Sequence, residues 1–339
     1  MSQSSVRMCL VGCGAIGNVH VQAAQTVPDQ MHYAAIFDSD SERAAAFADR
    51  LALSSRRVDR WENVLSDPEI EAVDLCVPHS RHVALTLDAL SAGKHVFLEK
   101  PMALSAADCD RMIQAARQRG LQLSVMHNRR FSPVSLRCKA MLDAGDLGDP
   151  ILLTAHGIEG PNTVGVRSWL AGANEGGVGM AQTVHFAYMV RWLLGPVTDV
   201  SCLTSRKGIS WMQGEVTAAF LLRFASGAIG QIASTFGQEA GRNEHRITIY
   251  GGSGQATFAG NVLDALSARH YGDGEWHREE SPSGRGHEFA VPLAGFADAV
   301  RGLGAPPVAA EEGRDAVALI EAAYQSAREG VTVSLDSGA

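Results

Sequence analysis

A glycine-rich segment near the start of the chain has the spacing of a loop that holds a diphosphate. Residues 12–17 read Gly-x-Gly-x-x-Gly, and they directly follow the apolar run Met8–Val11. Glycines at this spacing allow a tight turn and a close approach of the backbone to a pyrophosphate, which binds at the positive end of the following helix. The segment therefore predicts a nucleotide-binding turn between a strand and a helix.

An aspartate ends the next predicted strand. The apolar run Tyr33–Phe37 stops at Asp38, which follows the glycine segment by about 20 residues, as expected of a ribose-binding acid. A carboxylate at this position accepts hydrogen bonds from the adenosine ribose of NAD and repels the 2′-phosphate of NADP. Residues 39–42, Ser-Asp-Ser-Glu, contain no arginine that would bind this phosphate. The pattern favours NAD over NADP.

The segment Glu99-Lys100-Pro101 carries a lysine in a chain that otherwise uses arginine. Only four of the 29 basic residues are lysines, and Lys100 follows the apolar run His95–Leu98. Open α/β sheets bind ligands at the carboxyl ends of their strands. A lysine that is withdrawn from water or lies near other cations can lose its proton, whereas arginine keeps its charge. Lys100 is therefore predicted to exchange a proton.

The first 126 residues alternate apolar runs with helical patterns. Parallel strands need crossover helices between them, so this alternation predicts a doubly wound parallel sheet of the α/β class. The predicted strands are Met8–Val11, Tyr33–Phe37, Val73–Val77, His95–Leu98 and Leu121–Met126. A helix follows the glycine segment, and the later helices are Ser41–Leu51 with Ser41 as N-cap, Arg81–Ser91 and Ser105–Arg119.

The pattern changes near residue 127, where consecutive strands with short turns replace the alternation. We predict a second domain of the α+β class with a large, open, mostly antiparallel sheet. The chain thus divides into residues 1–126 and 127–339. The predicted strands are Asp199–Thr204, Glu215–Phe224, Ala228–Phe236 and Arg246–Tyr250, and the predicted helices are Met180–Leu194, Phe289–Gly302 and Glu311–Ser326.

The composition of the chain disfavours several classes of function. The chain has 339 residues, of which 46% are hydrophobic and 19% charged, and its formal net charge is −8. This charge disfavours nucleic acid and anionic membranes as partners, and the absence of a long apolar run disfavours a membrane span. The six cysteines form no C-x-x-C pair, and His79 and His82 lack a nearby carboxylate or cysteine ligand. We therefore expect a cytoplasmic protein with reduced thiols, no signal peptide and no metal site.

These segments together resemble the glucose–fructose oxidoreductase/inositol dehydrogenase family, also called Gfo/Idh/MocA, over nearly the whole chain. The resemblance implies an NAD(P)-dependent oxidoreductase with a Rossmann domain and a second α/β domain that contains an open sheet. Substrates in this family are mostly sugars, cyclitols and their derivatives. The matching segments are Gly12–Gly17, Asp38, Cys76–Pro78 with His82, Ala92–Val96 leading into Glu99–Pro101, Asn128–Pro133, Gly176–Gly177 with His185, and Phe296–Val300.

The resemblance also implies which residues contact the cofactor. Residues 1–126 would form the NAD-binding domain, and residues 127–339 would bind substrate and mediate oligomerisation. The implied cofactor-binding residues are Gly12, Gly14, Ala15, Ile16, Gly17, Asp38, Val77, Pro78, His82, Glu99, Lys100 and Asn128.

For catalysis, the resemblance implies that Lys100 contacts the reacting hydroxyl and that His185 assists proton transfer. It implies a homodimer or homotetramer formed through the second sheet. The implied substrate-binding residues are Lys100, Arg129, Trp169, Gln182 and His185. Three further residues flank this region, but packing or surface roles are favoured for them: His156, Asn162 and Arg167.

One position departs from the inositol dehydrogenase pattern. Related sequences carry Asp-x-x-x-His in the helix that bears the histidine, whereas this chain has Ala181 four residues before His185. On a regular helix these two positions share a face, so His185 lacks its usual helix-borne acid. Gln182 or Tyr188 would then be a neutral partner, unless Ala181 simply makes room for a larger substrate.

Three functions remain open from the sequence. The favoured one is reversible oxidation of a ring hydroxyl of a sugar, amino sugar or cyclitol by NAD. The second is an NAD-dependent glycosidase, which oxidises C3 transiently and returns the hydride, so that no net NADH forms. The third is a non-catalytic NAD-binding protein, which Ala181 suggests and which the presence of Lys100 and His185 disfavours.

Overall fold

The computed structural model describes residues 5–51, 53–160, 169–238, 243–260, 265–270, 274–280 and 286–335. By contacts between residues, the chain divides into two units. The first consists of Met1–Asn128 and Gly284–Arg314, and the second of Arg129–Ser283 and Asp315–Ala339. Each unit contains its own sheet.

The first unit is built on six parallel strands. They are β1 (Val6–Val11), β2 (Met31–Phe37), β3 (Arg56–Arg57), β4 (Ala72–Leu75), β5 (His95–Glu99) and β6 (Leu123–Met126). Their order is β3-β2-β1-β4-β5-β6, and each neighbouring pair is parallel. The predicted doubly wound parallel sheet is therefore confirmed. Between β1 and β4 the strand order reverses, which is the place where such sheets bind ligands.

Helices connect these strands and place the loops at their carboxyl ends. They are α1 (Ala15–Ala24), α2 (Ser41–Arg50), α3 (Trp61–Ser66), α4 (His82–Ser91) and α5 (Ala106–Arg119). Two details differ from the sequence prediction. The side chain of Asp40, rather than that of Ser41, caps α2 by accepting a hydrogen bond from the N–H of Arg43. Strand β3 is missed because its two arginines are exposed and present no apolar pattern.

Nine strands of the described residues form the sheet of the second unit. They are β7 (Pro150–Ile158), β8 (Val197–Ser205), β9 (Thr217–Phe224), β10 (Ile229–Thr235), β11 (Glu244–Gly251), β12 (Gly254–Gly260), β13 (Ala265–His270), β14 (Trp276–Glu280) and β15 (Val333–Ser334). Their order is β14-β13-β12-β11-β7-β10-β9-β8-β15. Every neighbouring pair is antiparallel except β7 with β10. The predicted mostly antiparallel sheet is confirmed, although the sequence pattern predicts only β8 to β11 and misses the central strand β7 and the strands β12 to β15.

The helices of the second half begin with α6 (Pro133–Asp143) and α7 (Val184–Leu194). They end with α8 (Gly286–Val300) and α9 (Ala310–Glu329). Among the helices described, none is both long enough and apolar enough to cross a membrane.

Helix α8 returns late in the chain to the core of the first unit. Phe289, Leu293 and Phe296 are buried with side chains of β1 and β2 in one apolar cluster. Just after this helix, the Arg301 guanidinium donates hydrogen bonds of 2.6 and 3.2 Å to the two carboxylate oxygens of Glu71. A division of the chain at residue 127 would assign α8 to the second domain, whereas α8 belongs to the first unit. The functional division into 1–126 and 127–339 stays a prediction.

All six cysteines are buried free thiols. Burial raises the pKa of Cys138 to about 12, and burial likewise raises that of Cys109 to about 12. These thiols therefore stay protonated and pack as small apolar groups.

Replacing Glu71 by Gln tests the contact that holds α8 in the first unit. Burial tends to raise the pKa of Glu71, but the hydrogen bonds from Arg301 and from the Arg7 N–H outweigh it and lower the pKa. The carboxylate therefore stabilises the fold above its unfolded pKa, and this contribution is lost as the pH falls through the folded value. Glu71→Gln should lower the free energy of unfolding by about 1.5 kcal/mol at pH 7.

Thermal unfolding followed by circular dichroism at pH 7 and at pH 3 measures this difference. Glu62→Gln is the matched control, because its carboxylate is exposed and bonds only the exposed Arg60. An equal loss of stability in Glu71→Gln and Glu62→Gln would contradict the role of the Glu71 carboxylate. A loss in Glu71→Gln that is the same at pH 7 and at pH 3 would also contradict it.

Candidate active site

The glycines of the loop after β1 serve two different purposes. Gly12 has a φ of +103°, and a Cβ there would lie 2.3 Å from the carbonyl oxygen of Cys76. A Cβ on Gly17 would lie 2.4 Å from the carbonyl oxygen of Gly12. Both positions therefore need glycine for the turn to close. A Cβ on Gly14 would meet nothing within 4 Å, so this residue borders open space.

The N-terminus of α1 fits a diphosphate. Its N-cap is Gly14, which supplies no side-chain hydrogen bond, and its first turn contains no acidic residue. The first N–H groups of a helix need outside acceptors, and they attract anions. Ala15 is exposed and Ile16 half-buried, so a ligand has access to these groups. The chemistry of this loop therefore fits the pyrophosphate of NAD.

Asp38 is held against the glycine loop. Its side chain is only 8% exposed, and its Oδ2 accepts a hydrogen bond of 2.9 Å from the Cys13 N–H. The Nε of Arg43 lies 3.6 Å from the same oxygen, and the Arg43 guanidinium also donates to Asp40 at 2.9 Å. Inspection of residues 39–42 misses this arginine, which lies in the first turn of α2. A positive charge therefore lies beside the predicted ribose-binding acid.

His82 links two loops at the same edge of the sheet. It is completely buried, with Nδ1 2.7 Å from the Pro101 carbonyl oxygen and Nε2 3.1 Å from the Val77 carbonyl oxygen. Val77 and Pro78 are half-buried in the loop after β4. The bond between Lys100 and Pro101 is a cis peptide. His82 thus holds the loop after β4 against the turn that carries Lys100.

Glu99 and Lys100 lie where β5 ends. Glu99 is its last residue and is buried, whereas Lys100 is half-buried. The N–H of Lys100 donates a hydrogen bond of 3.1 Å to Oε2 of Glu99. The other carboxylate oxygen of Glu99 lies 3.0 Å from Nε2 of His20. The backbone of the predicted proton-exchanging residue is therefore attached to a buried carboxylate.

Sequence reasoning misses the polar side chains behind Glu99. We call His20, Tyr33, Asp74, Cys76 and Glu99 the His20 cluster. Nδ1 of His20 lies 2.8 Å from Oδ2 of Asp74, and the Tyr33 hydroxyl donates to the same oxygen. The signal that could have revealed the cluster is Asp74, a charged residue inside the apolar run of β4.

Three members of the cluster have the composition of a metal site. One ligand atom from each of His20, Asp74 and Cys76 lies within 4.8 Å of the others. The Cys76 thiol, however, lies 3.8 Å from Oδ1 of Asp74 as a donor, and burial raises its pKa to about 12. The three side chains thus contact one another directly, with His20 and Cys76 both bonded to Asp74.

Asn128 is bound within the first unit. Its amide Nδ2 donates a hydrogen bond of 3.2 Å to Oε2 of Glu288, a buried residue of α8. The predicted cofactor-binding role of Asn128 stays a prediction, and its observed contact anchors the chain just after β6.

The helix that carries His185 differs from the predicted regular helix. Gly179–Thr183 forms a π-helical turn, and α7 continues from it, with His185 half-buried as its second residue. The sharing of a face by residues four apart holds for an α-helix, whereas the turn containing Ala181 is wider. The predicted alignment of Ala181 and His185 on one face therefore does not hold strictly.

The half-buried acid Glu215 contacts the start of this helix. Oε1 of Glu215 accepts hydrogen bonds from the Gly179 N–H at 2.7 Å and from the Tyr324 hydroxyl at 2.6 Å. A Cβ on Gly177, whose φ is +62°, would lie 2.0 Å from the Glu215 carboxylate. Burial raises the pKa of Glu215. The glycine pair at 176–177 thus makes room for an acid that sequence reasoning did not identify.

The two predicted neutral partners of His185 contact other residues. The amide nitrogen of Gln182 lies 2.8 Å from Nε2 of His245, and the same ring nitrogen lies 2.9 Å from Oε1 of Glu159. The hydroxyl of Tyr188 accepts a hydrogen bond of 2.9 Å from Arg130. Gln182 and Tyr188 therefore have well-defined polar contacts away from His185.

The remaining predicted substrate-binding residues differ in exposure. Arg129 is buried, with its guanidinium 4.8 Å from the centre of the Phe186 ring, which is a cation–π distance. Trp169 is half-buried. Asn162 and Arg167 lie outside the described residues. Arg129 thus contacts the residue next to His185.

Two family models match the chain. The oxidoreductase family with an NAD-binding Rossmann fold matches residues 6–127, and its C-terminal alpha/beta domain matches residues 139–335. Both are domains of the Gfo/Idh/MocA family. The matched regions contain the glycine loop, Glu99-Lys100 and His185.

Individual relatives agree with this match. An uncharacterized oxidoreductase, YrbE, from Bacillus subtilis is 31% identical over 73% of this chain and 72% of its own length. The myo-inositol 2-dehydrogenase of Thermotoga maritima is 29% identical over 98% of this chain and 99% of its own. The WlbA dehydrogenase of Bordetella pertussis, solved with NADH and UDP-GlcNAcA, is 27% identical with a TM-score of 0.86 and covers 98% of this chain and 99% of its own.

The two family models are thus consistent with the observed fold. They are also consistent with the glycine loop, with the acid that follows β2 and with the lysine that follows β5. The chain belongs to the Gfo/Idh/MocA family and is an NAD-binding oxidoreductase of the sugar and cyclitol dehydrogenase type.

Proposed function

We propose that the protein reversibly oxidises a ring hydroxyl of a sugar, amino sugar or cyclitol, with NAD as the hydride acceptor. The observation that carries this proposal is the half-buried Lys100 at the carboxyl end of β5. It lies on the same sheet as the glycine loop, and its backbone is bonded to Glu99. A lysine in this position can take the proton that a hydroxyl must lose when its carbon gives up hydride.

The residues of the first unit hold the cofactor. The N–H groups at the start of α1 bind the pyrophosphate, and Asp38 accepts hydrogen bonds from the adenosine ribose. When bound, NAD supplies hydride acceptance at its nicotinamide ring. The proposed cofactor-binding residues are Gly12, Gly14, Ala15, Ile16, Gly17, Asp38, Val77, Pro78, His82, Glu99, Lys100 and Asn128.

Lys100 takes the hydroxyl proton, and His185 has the smaller share in its transfer. Residue 181 carries no carboxylate, and Gln182 and Tyr188 contact His245 and Arg130. Related sequences carry an aspartate at position 181, so the helix of this chain lacks the acid that would orient His185 and stabilise its imidazolium.

The substrate class follows from the relatives and from the polar residues of the second unit. One relative is named a myo-inositol 2-dehydrogenase, and another was solved with UDP-GlcNAcA. Inositol and the sugars of this nucleotide are polyhydroxylated rings. The proposed substrate-binding residues are Lys100, Arg129, Trp169, Gln182 and His185.

Absorbance of NADH during incubation with a panel of cyclitols and sugars tests the proposal. Net formation of NADH with at least one ring alcohol is expected. Cleavage of an aryl glycoside without net NADH would indicate the glycosidase instead. Tight NAD binding with neither reaction would indicate a non-catalytic protein.

Substitution of Lys100 should cost more turnover than substitution of His185. Lys100→Arg keeps the positive charge but removes proton exchange near neutral pH, so kcat should fall by about 10²–10⁴-fold. His185→Ala should lower kcat less than Lys100→Ala does. Steady-state kinetics gives kcat, and calorimetry checks that NAD binding is retained.

Lys207→Arg is the control, because Lys207 is exposed. Near-normal turnover in Lys100→Arg would show that Lys100 is not the proton acceptor. A larger loss in His185→Ala than in Lys100→Ala would reverse the assignment of the two roles.

Asp38→Ala should narrow the preference for NAD over NADP. Removal of the carboxylate costs a ribose contact and leaves Arg43 beside the site to attract the 2′-phosphate. We expect the ratio of the two dissociation constants to shift toward NADP by about tenfold, or about 1.4 kcal/mol. Binding titrations with both cofactors measure this ratio.

The double variant Asp38→Ala/Arg43→Ala should lose the gain in NADP affinity, because the attracting charge of Arg43 is removed. Its affinity for NAD should stay as low as that of Asp38→Ala. Tighter binding of NADP than of NAD by the unmodified protein would contradict the proposed preference.

We further propose that the second unit self-associates through the outer face of its sheet. Leu203 on β8 and Leu221 on β9 point to this face and are 78% and 59% exposed. Ile229 on β10 adds a third apolar residue, paired across the strands with Arg223. Exposed apolar positions on several adjacent strands suit a surface that a second copy covers.

Leu221→Glu should therefore reduce the size of the protein in solution. A carboxylate inside a self-complementary interface repels its copy and loses its water. Light scattering after size exclusion should give a dimer or tetramer for the unmodified protein and a smaller species for the variant. Leu303→Glu is the control, at a 65% exposed site of the first unit. A mass of 36.0 kDa for the unmodified protein would refute self-association.

A further inference from the structure

The His20 cluster lies behind the Glu99–Lys100 turn, and the proposed proton transfer does not use it. His20 and Asp74 are completely buried, while Cys76, Tyr33 and Glu99 are 6%, 8% and 8% exposed. The members come from α1, β2, the β4 region and the end of β5. Polar groups this deeply buried are costly unless each one is bonded, so their arrangement requires a physical reason.

The two ring nitrogens of His20 face carboxylate oxygens on opposite sides. Nδ1 lies 2.8 Å from Asp74, and Nε2 lies 3.0 Å from Glu99. A carboxylate only accepts hydrogen bonds, so both contacts are satisfied when both nitrogens carry hydrogen, as in the imidazolium ion.

The surroundings of His20 support this charged form. Burial lowers the pKa of His20, but Asp74 and Cys76 together, through charge and hydrogen bonding, outweigh it and raise the pKa well above the usual value. The other titratable groups of the cluster are the Tyr33 hydroxyl and the Cys76 thiol, and burial raises the pKa of each. The uncharged rings of Phe289 and Phe97 lie 5.4 and 6.3 Å from the His20 ring. The cluster thus contains one imidazolium between two carboxylates.

The bond from Glu99 to Lys100 connects this cluster to the proposed chemistry. One carboxylate oxygen of Glu99 is held by His20, and the other accepts the N–H of Lys100. The His20 ring nitrogen restrains the Glu99 carboxylate. The restrained carboxylate in turn limits the movement of the Lys100 backbone. Lys100 is the first residue after β5, where the ladder of the sheet no longer supports the chain.

We infer that His20 is a positioning residue for Lys100: it holds the Glu99 carboxylate in one orientation, and this carboxylate fixes the backbone from which the Lys100 side chain extends. Asp74 anchors the opposite side of the ring. The inference rests on the proposed role of Lys100 in proton transfer. Small displacements of a reacting group are costly, since about 1 Å can lower the rate by about 10²-fold.

The test compares His20→Gln and His20→Leu with Tyr33→Phe. A glutamine can still donate to Glu99, a leucine cannot, and the tyrosine variant removes a bond to Asp74 while leaving His20 and Glu99 in place. With a substrate from the sugar panel, kcat should fall by about tenfold in His20→Gln and further in His20→Leu, by up to about 10²-fold. The KM for substrate should stay within about twofold of the unmodified value.

Hydrogen exchange of the Lys100 amide, followed by NMR without cofactor, supplies a readout independent of activity. The amide should exchange faster in His20→Gln than in the unmodified protein, and Tyr33→Phe should leave its rate unchanged. A purely structural role for His20 would lower the melting temperature of all three variants without this selective change. If His20→Leu does not fold, Asp74→Asn replaces it, since it keeps the volume and removes the anchoring charge.

Unchanged kcat and Lys100 exchange in His20→Gln would overturn the positioning role, as would equal losses of kcat in Tyr33→Phe. Lys100→Ala in the same assay separates this inference from the function on which it rests. Loss of turnover in Lys100→Ala, together with normal turnover in His20→Gln, overturns the positioning role alone. Near-normal turnover in Lys100→Ala overturns the proton-transfer proposal and the inference with it.

Discussion

Burial of the Asp74 and Glu99 carboxylates in the first unit costs free energy unless a positive charge lies between them. The His20 ring meets this requirement, with contacts of 2.8 and 3.0 Å. Because His20 belongs to α1, the helix that begins at the glycine loop also reaches the end of β5. One buried interaction therefore joins the part of the first unit that suits a diphosphate to the part that carries Lys100.

The second constraint is that the backbone must pass very close to a polar atom at one place in each unit. Both units have glycine at this place, because glycine carries no Cβ. Gly12 brings the loop after β1 against the carbonyl of Cys76, and Gly177 brings the start of the His185-bearing helix against Glu215. In each case a Cβ would occupy the place of a polar atom. Gly12 and Gly177, which lie in segments that the family resemblance marks, are thus required by distances of 2.3 and 2.0 Å, independently of any bound ligand.

The sequence predicts local features well, because the apolar runs that form strands also place Gly12, Asp38 and Lys100 at strand ends. It fails where the deciding partner is distant in the chain. Glu215 reaches Gly179 across 36 residues, and Arg301 reaches Glu71 across 230. Arg43 is missed for a different reason: it lies one residue beyond the four inspected after Asp38, and the first turn of α2 brings it back toward that acid. Neither a distant pairing nor the direction of a polar side chain on a helix leaves a mark in apolar periodicity.

The polar contacts around Lys100 differ from those around His185, the other proposed proton-transfer residue. The backbone of Lys100 is bonded to a carboxylate that is part of a buried chain of polar side chains. His185 follows a π-helical turn with alanine at position 181, and Gln182 contacts His245, whose ring nitrogen also lies 2.9 Å from Oε1 of Glu159. The contact with His245 holds the Gln182 amide, and a held amide can donate to or accept from a hydroxyl group. These contacts support the proposal that Lys100 exchanges the proton and that the residues near His185 hold the polyhydroxylated ring.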